Sequence, residues 1–438
     1  MCLPSSVAAS VERRRVYIET YGCWLNRGES ELVKTILSER GYEIVGAPSS
    51  ADVVIVNTCA VRGDTETNVL ARLRELKKIA PQARFVVTGC LVNVRPKSIL
   101  EILPGASLLE PDAIPRIADV LERDEPVYIL RRYERDLTLL PKYQEGPTYV
   151  VPIQTGCTGS CSFCVEWVAR GRRVKSYPAK LVVDAVKEAV SRGVKEVYLT
   201  GQDVASYGLD TGASLPELLE TLLEEVPGHY RLRIGMMEPS MLRSFVGKLT
   251  PLFKDPRLYK YFHIPVQHGD DRVLSLMNRK YTVSEYKSLV QKIREDVGLS
   301  SIVTDVIVGF PGETEESFQN TLRLLEEVMF DKVHVARYTL RPFTRGYLLP
   351  GVPEPVKKRR SRLASELALR ISGEVNKKYE GRLTEVLVNS TSFRGDIAGR
   401  TPEYKLVIMK GYDLRVGDFV KVRITKSTPL HLEGEVVD

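Results

Sequence analysis

Two long stretches of the chain alternate short apolar segments with amphipathic ones, and this alternation limits the possible folds more than any other feature. In the first stretch, about residues 14–110, RRVYIETYGC, ADVVIVNTC and ARFVVTGC predict strands, while ESELVKTILSERG and TNVLARLRELKKIAP predict helices. The segment ADVVIVNTC is apolar enough to be buried on both faces of a parallel sheet. The first stretch therefore predicts an α/β domain with a parallel sheet.

The second stretch begins at Tyr149 and contains six predicted strands, from TYVVPIQTG to DKVHVARYTL, with helical segments between them. Six strands are fewer than the eight of a closed α/β barrel, so we predict an open, partial (β/α)6 barrel. A basic amphipathic helix follows at residues 356–375. The short strands and turns after it predict a small C-terminal β-barrel.

Composition excludes several classes of protein. With 43% hydrophobic and 27% charged residues in 438, the chain is neither disordered, collagen-like nor a coiled coil. No stretch approaches the roughly 18 uncharged apolar residues of a membrane span, and the N-terminus lacks the pattern of a signal peptide. We therefore expect a cytoplasmic protein without a membrane segment. The net charge of +7 is compatible with a polyanionic partner but does not identify one.

The seven cysteines favour metal binding over disulfides, because their number is odd and the chain is long. Cys23, Cys59 and Cys90 each end one of the first three predicted strands, and we call them the strand-end triplet. The carboxyl ends of parallel strands share one edge of a sheet, so these thiols can meet there. The alternative is that each is a small buried hydrophobe. We assign no role to Cys2.

Cys157, Cys161 and Cys164 lie within eight residues, and we call them the loop triplet. A structural zinc site takes four ligands, and the nearest histidine, His229, is 65 residues away. A [4Fe–4S] cluster also takes four thiolates as a rule, so three would leave one iron open to a substrate or cofactor. Zinc with a distant fourth ligand is the alternative.

The C-x3-C-x2-C pattern after the first barrel strand resembles that of radical S-adenosylmethionine enzymes. Together with the strand-end triplet and the motifs ETYGC, NTCAVR, LTGQD, HIPVQ and TDVIVGFPGET, it resembles the methylthiotransferase family from about Arg14 to Val437. The pattern is most similar to the archaeal and eukaryotic branch, which acts on N6-threonylcarbamoyladenosine 37 of tRNA. The chain departs from the family at Arg341–Pro350, where relatives have RPGTPA, and at Gln267–Asp270, where many have QSGS.

The resemblance implies three domains: a flavodoxin-like cluster domain at 14–130, a radical SAM domain at 146–375 and a TRAM-like RNA-binding β-barrel at 376–438. It implies two [4Fe–4S] clusters, one on each triplet, and S-adenosylmethionine on the open iron of the loop triplet's cluster. A 5′-deoxyadenosyl radical would then remove hydrogen from carbon 2 of the adenine. The expected partners are the tRNA anticodon stem-loop, an electron donor protein and a sulfur source, the last two unidentified, and the chain is expected to be a monomer.

The resemblance also implies roles for residues around the loop triplet. Phe163 would lie against the adenine of S-adenosylmethionine, or else pack in the core. Gly201, Gln202 and Asp203 end the second barrel strand, where the methionyl ammonium binds, although Asp203 could instead cap a helix. Arg233 would meet the methionyl carboxylate. We interpret Glu313 as the start of the following helix, and His268 as a solvated loop residue, with contact to the substrate as the alternative for His268.

RNA contacts are expected to be electrostatic first. The candidate cations follow the loop triplet or lie on the helix at 356–375: Arg170, Arg172, Arg173, Lys357, Lys358, Arg359 and Arg360. Their alternative is an ordinary solvated surface. Phe393, Tyr404 and Tyr412 of the small barrel are candidates for base stacking, and packing in the barrel core is the alternative for each.

Three other functions remain open on the sequence. Two are methylthiotransferase activities, on N6-isopentenyladenosine 37 of tRNA or on an aspartate of a ribosomal protein. The third belongs to a different class, a non-catalytic RNA-binding protein that contains structural zinc.

Overall fold

A computed structural model describes residues 14–61, 63–131, 133–391, 395–411 and 413–437. Cys2, Phe393 and Tyr412 lie outside these residues. The chain divides into two compact units, of which the first ends at Asp136 and the second begins at Leu137. The division into three domains at the boundaries given above remains a proposal.

The first unit is built on a six-stranded parallel sheet in the order β2-β1-β3-β4-β5-β6. This is the strand order of a flavodoxin-like sheet with one strand added at the edge, as predicted. The strands are β1 Arg15–Thr20, β2 Glu43–Ile44, β3 Val53–Thr58, β4 Arg84–Gly89, β5 Ser107–Leu109 and β6 Tyr128–Ile129. The helices are α1 Trp24–Glu39, α2 Gly63–Ile79, α3 Cys90–Val94, α4 Pro96–Ile102 and α5 Ile117–Leu121.

Strand β3 is buried along its whole length because helices cover both faces of the sheet. Alternate residues of a strand point to opposite faces, so Val53 and Ile55 pack with the apolar side of α1 and α5. The two faces together fix β3 at the centre of the sheet, and its carboxyl end emerges between those of β1 and β4.

The second unit contains six parallel barrel strands in two adjoining sheets, β7-β10-β11 and β12-β13-β14. A bridge between Leu232 and Leu258 joins the sheets beside β12, and β7 and β14 are the outer strands. The prediction of an open (β/α)6 barrel is confirmed. The strands are β7 Thr148–Pro152, β8 Gln154–Thr155, β9 Lys175–Ser176, β10 Glu196–Thr200, β11 Arg231–Ile234, β12 Tyr261–His263, β13 Ser301–Val308 and β14 Lys332–Arg337. The helices are α6 Glu166–Arg170, α7 Ala179–Ser191, α8 Leu215–Glu225, α9 Pro239–Leu249, α10 Asp271–Leu276, α11 Val283–Val297, α12 Glu315–Val328 and α13 Glu354–Lys377.

The C-terminal strands form a closed barrel in the order β15-β16-β17-β19-β18, which confirms the predicted small β-barrel. The strands are β15 Leu383–Thr391, β16 Ile397–Arg400, β17 Leu406–Met409, β18 Phe419–Ser427 and β19 Leu432–Val436. This barrel has its own apolar core and also sends Tyr404 among Tyr259, Tyr261 and Val303 of the partial barrel. Among the described residues, no helix is both long enough and apolar enough to cross a membrane.

Candidate functional site

The loop triplet lies just beyond the carboxyl end of β7, on a loop whose sulfur atoms converge. A Cβ atom added to Gly159 would lie 3.1 Å from the Cys157 Sγ and 3.7 Å from the Cys161 Sγ. Backbone amides also point at the sulfurs, with Gly159 N 3.3 Å from Cys157 Sγ and Glu166 N 3.4 Å from Cys164 Sγ. Amide hydrogen bonds to cysteine sulfur are typical of iron–sulfur sites. The loop therefore brings Cys157 and Cys161 close to Gly159 and turns backbone amides toward two of its three sulfurs.

Burial makes the thiols of this loop poor thiolates on their own. It raises the pKa of Cys157 to about 12 and the pKa of Cys164 well above its ordinary value. A buried thiolate needs a compensating positive charge, and a coordinated metal centre supplies it. The donor set and its burial therefore fit a metal centre, and we find no disulfide among these residues.

Residues after β10 form one wall beside the loop triplet. The Gln202 side-chain oxygen accepts a hydrogen bond from Gly156 N, and its amide nitrogen donates to Glu166 at 3.2 Å. Gln154 supports this wall, because its side-chain nitrogen donates to the Asp203 carbonyl at 2.6 Å. A Cβ atom added to Gly201 would lie 2.9 Å from the Gln154 side chain, so the two residues are in close contact. The predicted residues Gly201, Gln202 and Asp203 thus lie beside the triplet's loop.

Asp203 caps the short helical turn after β10, because one carboxylate oxygen accepts from Ala205 N at 3.2 Å and from Glu238 N at 2.9 Å. Burial raises its pKa to about 7, and its charge is felt at Cys157. Capping, the alternative reading of this residue, is therefore what the structure shows. The predicted contact with a methionyl ammonium stays a prediction, and it is compatible with a buried carboxyl group that a nearby cation would ionise.

Arg279 is the cation at the loop triplet, and sequence reasoning missed it. Its Nη1 lies 3.2 Å from Cys161 Sγ, and its Nη2 forms an ion pair with Glu238 at 3.0 Å. It follows α10 in the turn MNRKY, 118 residues after Cys161, and no spacing rule connects the two. The neighbouring Asn278 holds the loop as well, since it donates to the Ser160 carbonyl at 2.9 Å.

Arg233 does not take the position predicted for it. Its guanidinium carbon lies between 4.6 and 5.0 Å from the ring centroids of Tyr198, Tyr261 and Tyr404, and Nη2 lies 3.2 Å from the Tyr261 hydroxyl. This side chain therefore faces the C-terminal barrel, and the role predicted for it at the methionyl carboxylate is corrected. Tyr404 is corrected too, because a ring in contact with two buried tyrosines is no open stacking platform.

Three other expectations concern the region after β13. Phe163 packs beside Val273, Met277, Phe310 and Tyr338, so the packing alternative holds and its contact with adenine remains a prediction. Glu313 does not start a helix: its buried carboxylate accepts from Phe310 N at 3.1 Å, and Thr314 caps α12. His268 is fully buried and 3.7 Å from Glu313, so its reading as a solvated residue was wrong.

The strand-end triplet lies at the carboxyl edge of the first unit. Cys23 lies directly before α1. Cys59 and Cys90 directly follow Thr58 and Gly89, which are paired at the ends of β3 and β4. A Cβ on Gly22 would lie 3.1 Å from Cys59 Sγ, which brings the start of α1 against Cys59. The sheet therefore gathers the three cysteines at one edge, as predicted from their spacing.

Two buried amides support this edge. The Asn26 side-chain nitrogen donates to the carbonyls of Tyr21 at 2.8 Å and Thr58 at 2.9 Å, while its oxygen lies 3.6 Å from Cys23 Sγ. Asn57 donates to the Asn26 carbonyl at 2.9 Å. These side chains fix the backbone on both sides of the triplet. The spacing of three residues between Cys23 and Asn26 was the signal in the sequence that could have revealed this role.

Single-ion geometry occurs elsewhere in the molecule. In the part of the chain that the structure describes, the one group whose three ligand atoms lie within 4.8 Å of one another is His263, Asp305 and His334. Neither cysteine triplet is drawn together as tightly as ligands of one zinc ion.

The predicted RNA-contacting cations divide into buried and exposed residues. Arg170 and Arg360 are buried, and Lys357 is largely covered and bonded to the Tyr338 carbonyl at 3.2 Å. These three are corrected, because their side chains do not face solvent. Arg172, Arg173, Lys358 and Arg359 are exposed, with Arg172 stacked 4.7 Å from the Trp167 ring.

Comparisons with known proteins cover nearly the whole chain. Family models match at residues 15–109 (uncharacterized protein family UPF0004), 151–325 (radical SAM superfamily) and 377–437 (TRAM domain). A probable threonylcarbamoyladenosine tRNA methylthiotransferase of Methanothermobacter thermautotrophicus is 37% identical over 95% of this chain and 98% of its own length. The chain belongs to the radical S-adenosylmethionine methylthiotransferase family. It is therefore an enzyme of this family.

Other methylthiotransferases match almost equally well. A Pyrococcus horikoshii protein with the same printed name is 36% identical over 97% of this chain and 99% of its own. A tRNA-2-methylthio-N(6)-dimethylallyladenosine synthase of Chloroflexus aurantiacus is 36% identical over 96% of this chain and 91% of its own. Membership implies S-adenosylmethionine and a [4Fe–4S] cluster, and the loop triplet fits that cluster.

The fold of this methylthiotransferase is similar to that of a radical S-adenosylmethionine methyltransferase, TsrM from Kitasatospora setae. The TM-score is 0.56 at 16% identity, over 76% of this chain and 74% of the other. At this identity the likeness concerns the fold alone. It agrees with the parallel sheet and the partial barrel described above.

Proposed function

We propose that this enzyme converts N6-threonylcarbamoyladenosine 37 of tRNA to its 2-methylthio derivative, with one [4Fe–4S] cluster on each cysteine triplet. The observation that carries the proposal is the pair of triplets, each at the carboxyl end of parallel strands and each supported by backbone amides or buried side chains. The archaeal relatives named for this substrate support it, with identities of 36–37% over at least 95% of the chain.

The residues of this chain would hold, tune and shield the reacting groups. When bound to the loop triplet, the cluster and S-adenosylmethionine supply the one-electron chemistry that breaks a C–H bond which no side-chain base could deprotonate. Cys157, Cys161 and Cys164 would occupy three irons and leave the fourth open. The Arg279 guanidinium places a positive charge beside the Cys161 sulfur, which stabilises the negative charge of a coordinated thiolate.

Asp203 and Gln202 would orient the methionyl end of S-adenosylmethionine. Asp203 is buried next to the triplet with its pKa near 7, so a cationic ammonium group beside it would favour its ionised form. Gln202 ties the triplet's loop to the end of β10 through Gly156 and Glu166.

The exposed cations would bind the RNA backbone. Arg172 and Arg173 follow the loop triplet, and Lys358 and Arg359 lie on the exposed side of α13. The target base must leave the stack to reach the cluster, and a loop nucleotide is less costly to extrude than a paired one. We infer that a one-electron donor and a sulfur source act from outside this chain. In this scheme, the three proposed domains would hold the two clusters and grip the RNA.

The test is anaerobic reconstitution with iron and sulfide, followed by incubation with S-adenosylmethionine, a reductant and tRNA that carries the threonylcarbamoyl group. We expect a 2-methylthio nucleoside by mass spectrometry, and its loss in Cys161→Ala. A product formed only on isopentenyladenosine tRNA, or only on a ribosomal protein, would replace this substrate by one of the alternatives. Zinc without iron in anaerobically purified protein would contradict the enzyme proposed here.

A further inference from the structure

The interior of the partial barrel, which we call the lumen, carries an unusual group of positive charges. Alternate strand residues such as Val197 and Leu199 pack under the helices, so Tyr198 and its paired neighbour Arg233 face the lumen. Lys332 of β14 is paired with Val303 of β13, and Val303 packs against Tyr404. Arg233 and Lys332 therefore approach the same tyrosine from opposite walls.

A third cation comes from the C-terminal barrel. The Arg400 guanidinium lies 4.5 Å from the centroid of the Tyr404 ring, and the Arg233 guanidinium lies 4.9 Å from it. Neither Lys332 nor Arg400 forms an ion pair with any residue that the structure describes. We call Arg233, Lys332 and Arg400 the lumen cations. Partial burial lowers the pKa of Lys332, and the positive charges of Arg400 and Arg233 lower it further, an effect that an added anion would oppose.

The acidic residues near this group have partners already. Glu196 accepts hydrogen bonds from the Tyr259 hydroxyl at 2.7 Å and from Thr148 at 2.9 Å. Asp305 is bonded to His263 at 2.9 Å, and Glu385 pairs with Arg231. The lumen cations thus outnumber the two neighbouring carboxylates, Glu196 and Asp305, and both of these are already engaged. An anionic ligand would balance the remaining charge.

We propose that the lumen cations bind the carboxylate of the N6 substituent of the target adenosine, an inference that rests on the proposed function. A threonylcarbamoyl group carries a carboxylate, whereas an isopentenyl group is neutral and apolar. The same cations would therefore favour the first substrate over the second. Charge-assisted hydrogen bonds are about twice as strong as neutral ones, so the discrimination is large.

The position of the group suits a substituent that points inward from the reacting base. At about 3.3 Å per residue, Tyr198 lies roughly 7 Å below Thr200, where β10 ends beside the loop triplet. Lys332 and His334 are exposed along β14, the outer strand, so the lumen is open from that side. A base held at the strand ends could extend its N6 group down to the cations.

A divalent metal ion is the competing occupant of this lumen. His263, Asp305 and His334 could offer two imidazoles and one carboxylate from adjacent strands. His334 and Lys332 are two residues apart on the same strand face, so the positive floor lies next to this group. The positive charges of the lumen cations would repel a divalent metal ion and attract an anion. They therefore favour the substrate carboxylate over the metal ion as the occupant.

The experiment measures binding, independently of turnover, to two anticodon stem-loops that differ only in whether adenosine 37 carries the threonylcarbamoyl group. The cluster-loaded full-length protein should prefer the modified loop. Lys332→Gln and Arg400→Gln should each reduce this preference about tenfold, as expected for one charged hydrogen bond, and leave the affinity for the unmodified loop unchanged. Lys187→Gln, which removes an exposed lysine from α7, should preserve the preference. Thermal melting checks that the variants fold.

An equal affinity of the wild-type protein for both loops would overturn the inference, and so would an unchanged preference in both variants. If the protein instead takes up one zinc ion that the double variant His263→Gln, His334→Gln no longer binds, while Lys332→Gln keeps the preference, the lumen is a metal site. Failure of the proposed function looks different, because no 2-methylthio product forms on any tRNA whatever the binding preference. If 2-methylthio product formed at equal rates on threonylcarbamoyladenosine tRNA and on isopentenyladenosine tRNA, the role of the lumen cations would be contradicted while the proposed function would stand.

Discussion

At the scale of single residues, the two polar side chains that matter most to the loop triplet are an arginine and an aspartate that are both buried. Arg279 touches Cys161 and Glu238, and Asp203 accepts hydrogen bonds from two backbone amides. Burial makes each of them sensitive to charge, because a buried group exchanges water for a few fixed partners. Each can therefore be tested by a substitution that keeps the shape and changes the charge.

Arg279→Gln should lower the reduction potential of the cluster on the loop triplet. The positive charge 3.2 Å from Cys161 Sγ favours the reduced, more negative state, and its removal should shift the potential by on the order of 60 mV. A redox titration followed by electron paramagnetic resonance measures the shift. Arg272→Gln, on the exposed surface of α10, is the matched control. An unchanged potential would show that Arg279 only supports the loop.

Asp203 should make the cluster-free protein less stable as the pH rises. Its pKa is about 7 when folded and near 3.8 in an unfolded chain, so the stability it contributes is complete below pH 4 and is lost up to about pH 7. Asp203→Asn keeps a hydrogen-bond acceptor and removes this dependence. We expect the variant to be about 4 kcal/mol more stable than wild type at pH 8 and no more stable at pH 4.

Urea denaturation at pH 4, 6 and 8 measures the difference. The exposed Asp184→Asn on α7 provides the control, since its carboxylate pairs only with Lys180 in solvent. A constant difference between Asp203→Asn and wild type across this range would contradict the assigned pKa.

At the scale of secondary structure elements, α13 carries cations in two different environments, one buried and one exposed. Its inner side carries Arg360, which pairs with the buried Glu313 at 2.9 Å and so holds the turn after β13. Its outer side carries Lys358 and Arg359. The run of cations in the sequence predicted only the outer task, because a charge pattern does not reveal a buried acid that lies 47 residues away.

The two sides of α13 should respond differently to the same substitution. Arg360→Gln should cost about 3 kcal/mol of unfolding free energy, because it leaves the Glu313 carboxylate buried without its partner. Lys358→Gln should leave stability unchanged and reduce the slope of log affinity against log salt by about 1 on tRNA binding. Denaturation and salt-dependent binding measure these effects. A loss of stability in Lys358→Gln, or a changed salt dependence with unchanged stability in Arg360→Gln, would contradict this assignment of the inner and outer sides of α13.

Most elements of the fold were predictable because each depends on a local pattern. The apolar run of β3 and the amphipathic pattern of α1 are each recognisable from the sequence alone. Once the strands are assigned, the parallel pairing of β3 and β4 brings Cys59 and Cys90 to the same edge of the sheet. Arg279, Asn278 and Gly346 were not predictable, because each reaches the loop triplet from a distant turn. Gly346 lies in the loop where the chain departs from its family, and its amide donates to the Ser162 carbonyl at 2.8 Å.

At the scale of the whole molecule, the two cysteine triplets should be separable. Replacing Cys23, Cys59 and Cys90 by alanine should reduce the iron content from about eight to about four per chain. This variant should still cleave S-adenosylmethionine to 5′-deoxyadenosine but yield no methylthio product. Replacing the loop triplet should abolish both reactions.

Iron analysis and mass spectrometry of the products check this separation. Cys2→Ala, which removes the seventh cysteine, should behave as wild type. A strand-end variant that still attaches sulfur to the nucleoside would show that this triplet does not take part in sulfur transfer.

The contact of Tyr404 with the partial barrel has a consequence for how such enzymes can be recombined. Its ring packs against Tyr261 and Val303 of the partial barrel and lies 4.9 Å from the Arg233 guanidinium, although it belongs to the C-terminal barrel. A chimera that exchanges this barrel for a relative's would therefore change the packing around Arg233 as well as the proposed RNA-binding surface. An attempt to change the substrate preference of this enzyme would therefore have to redesign the partial barrel and the C-terminal barrel together, because residues of both surround Tyr404.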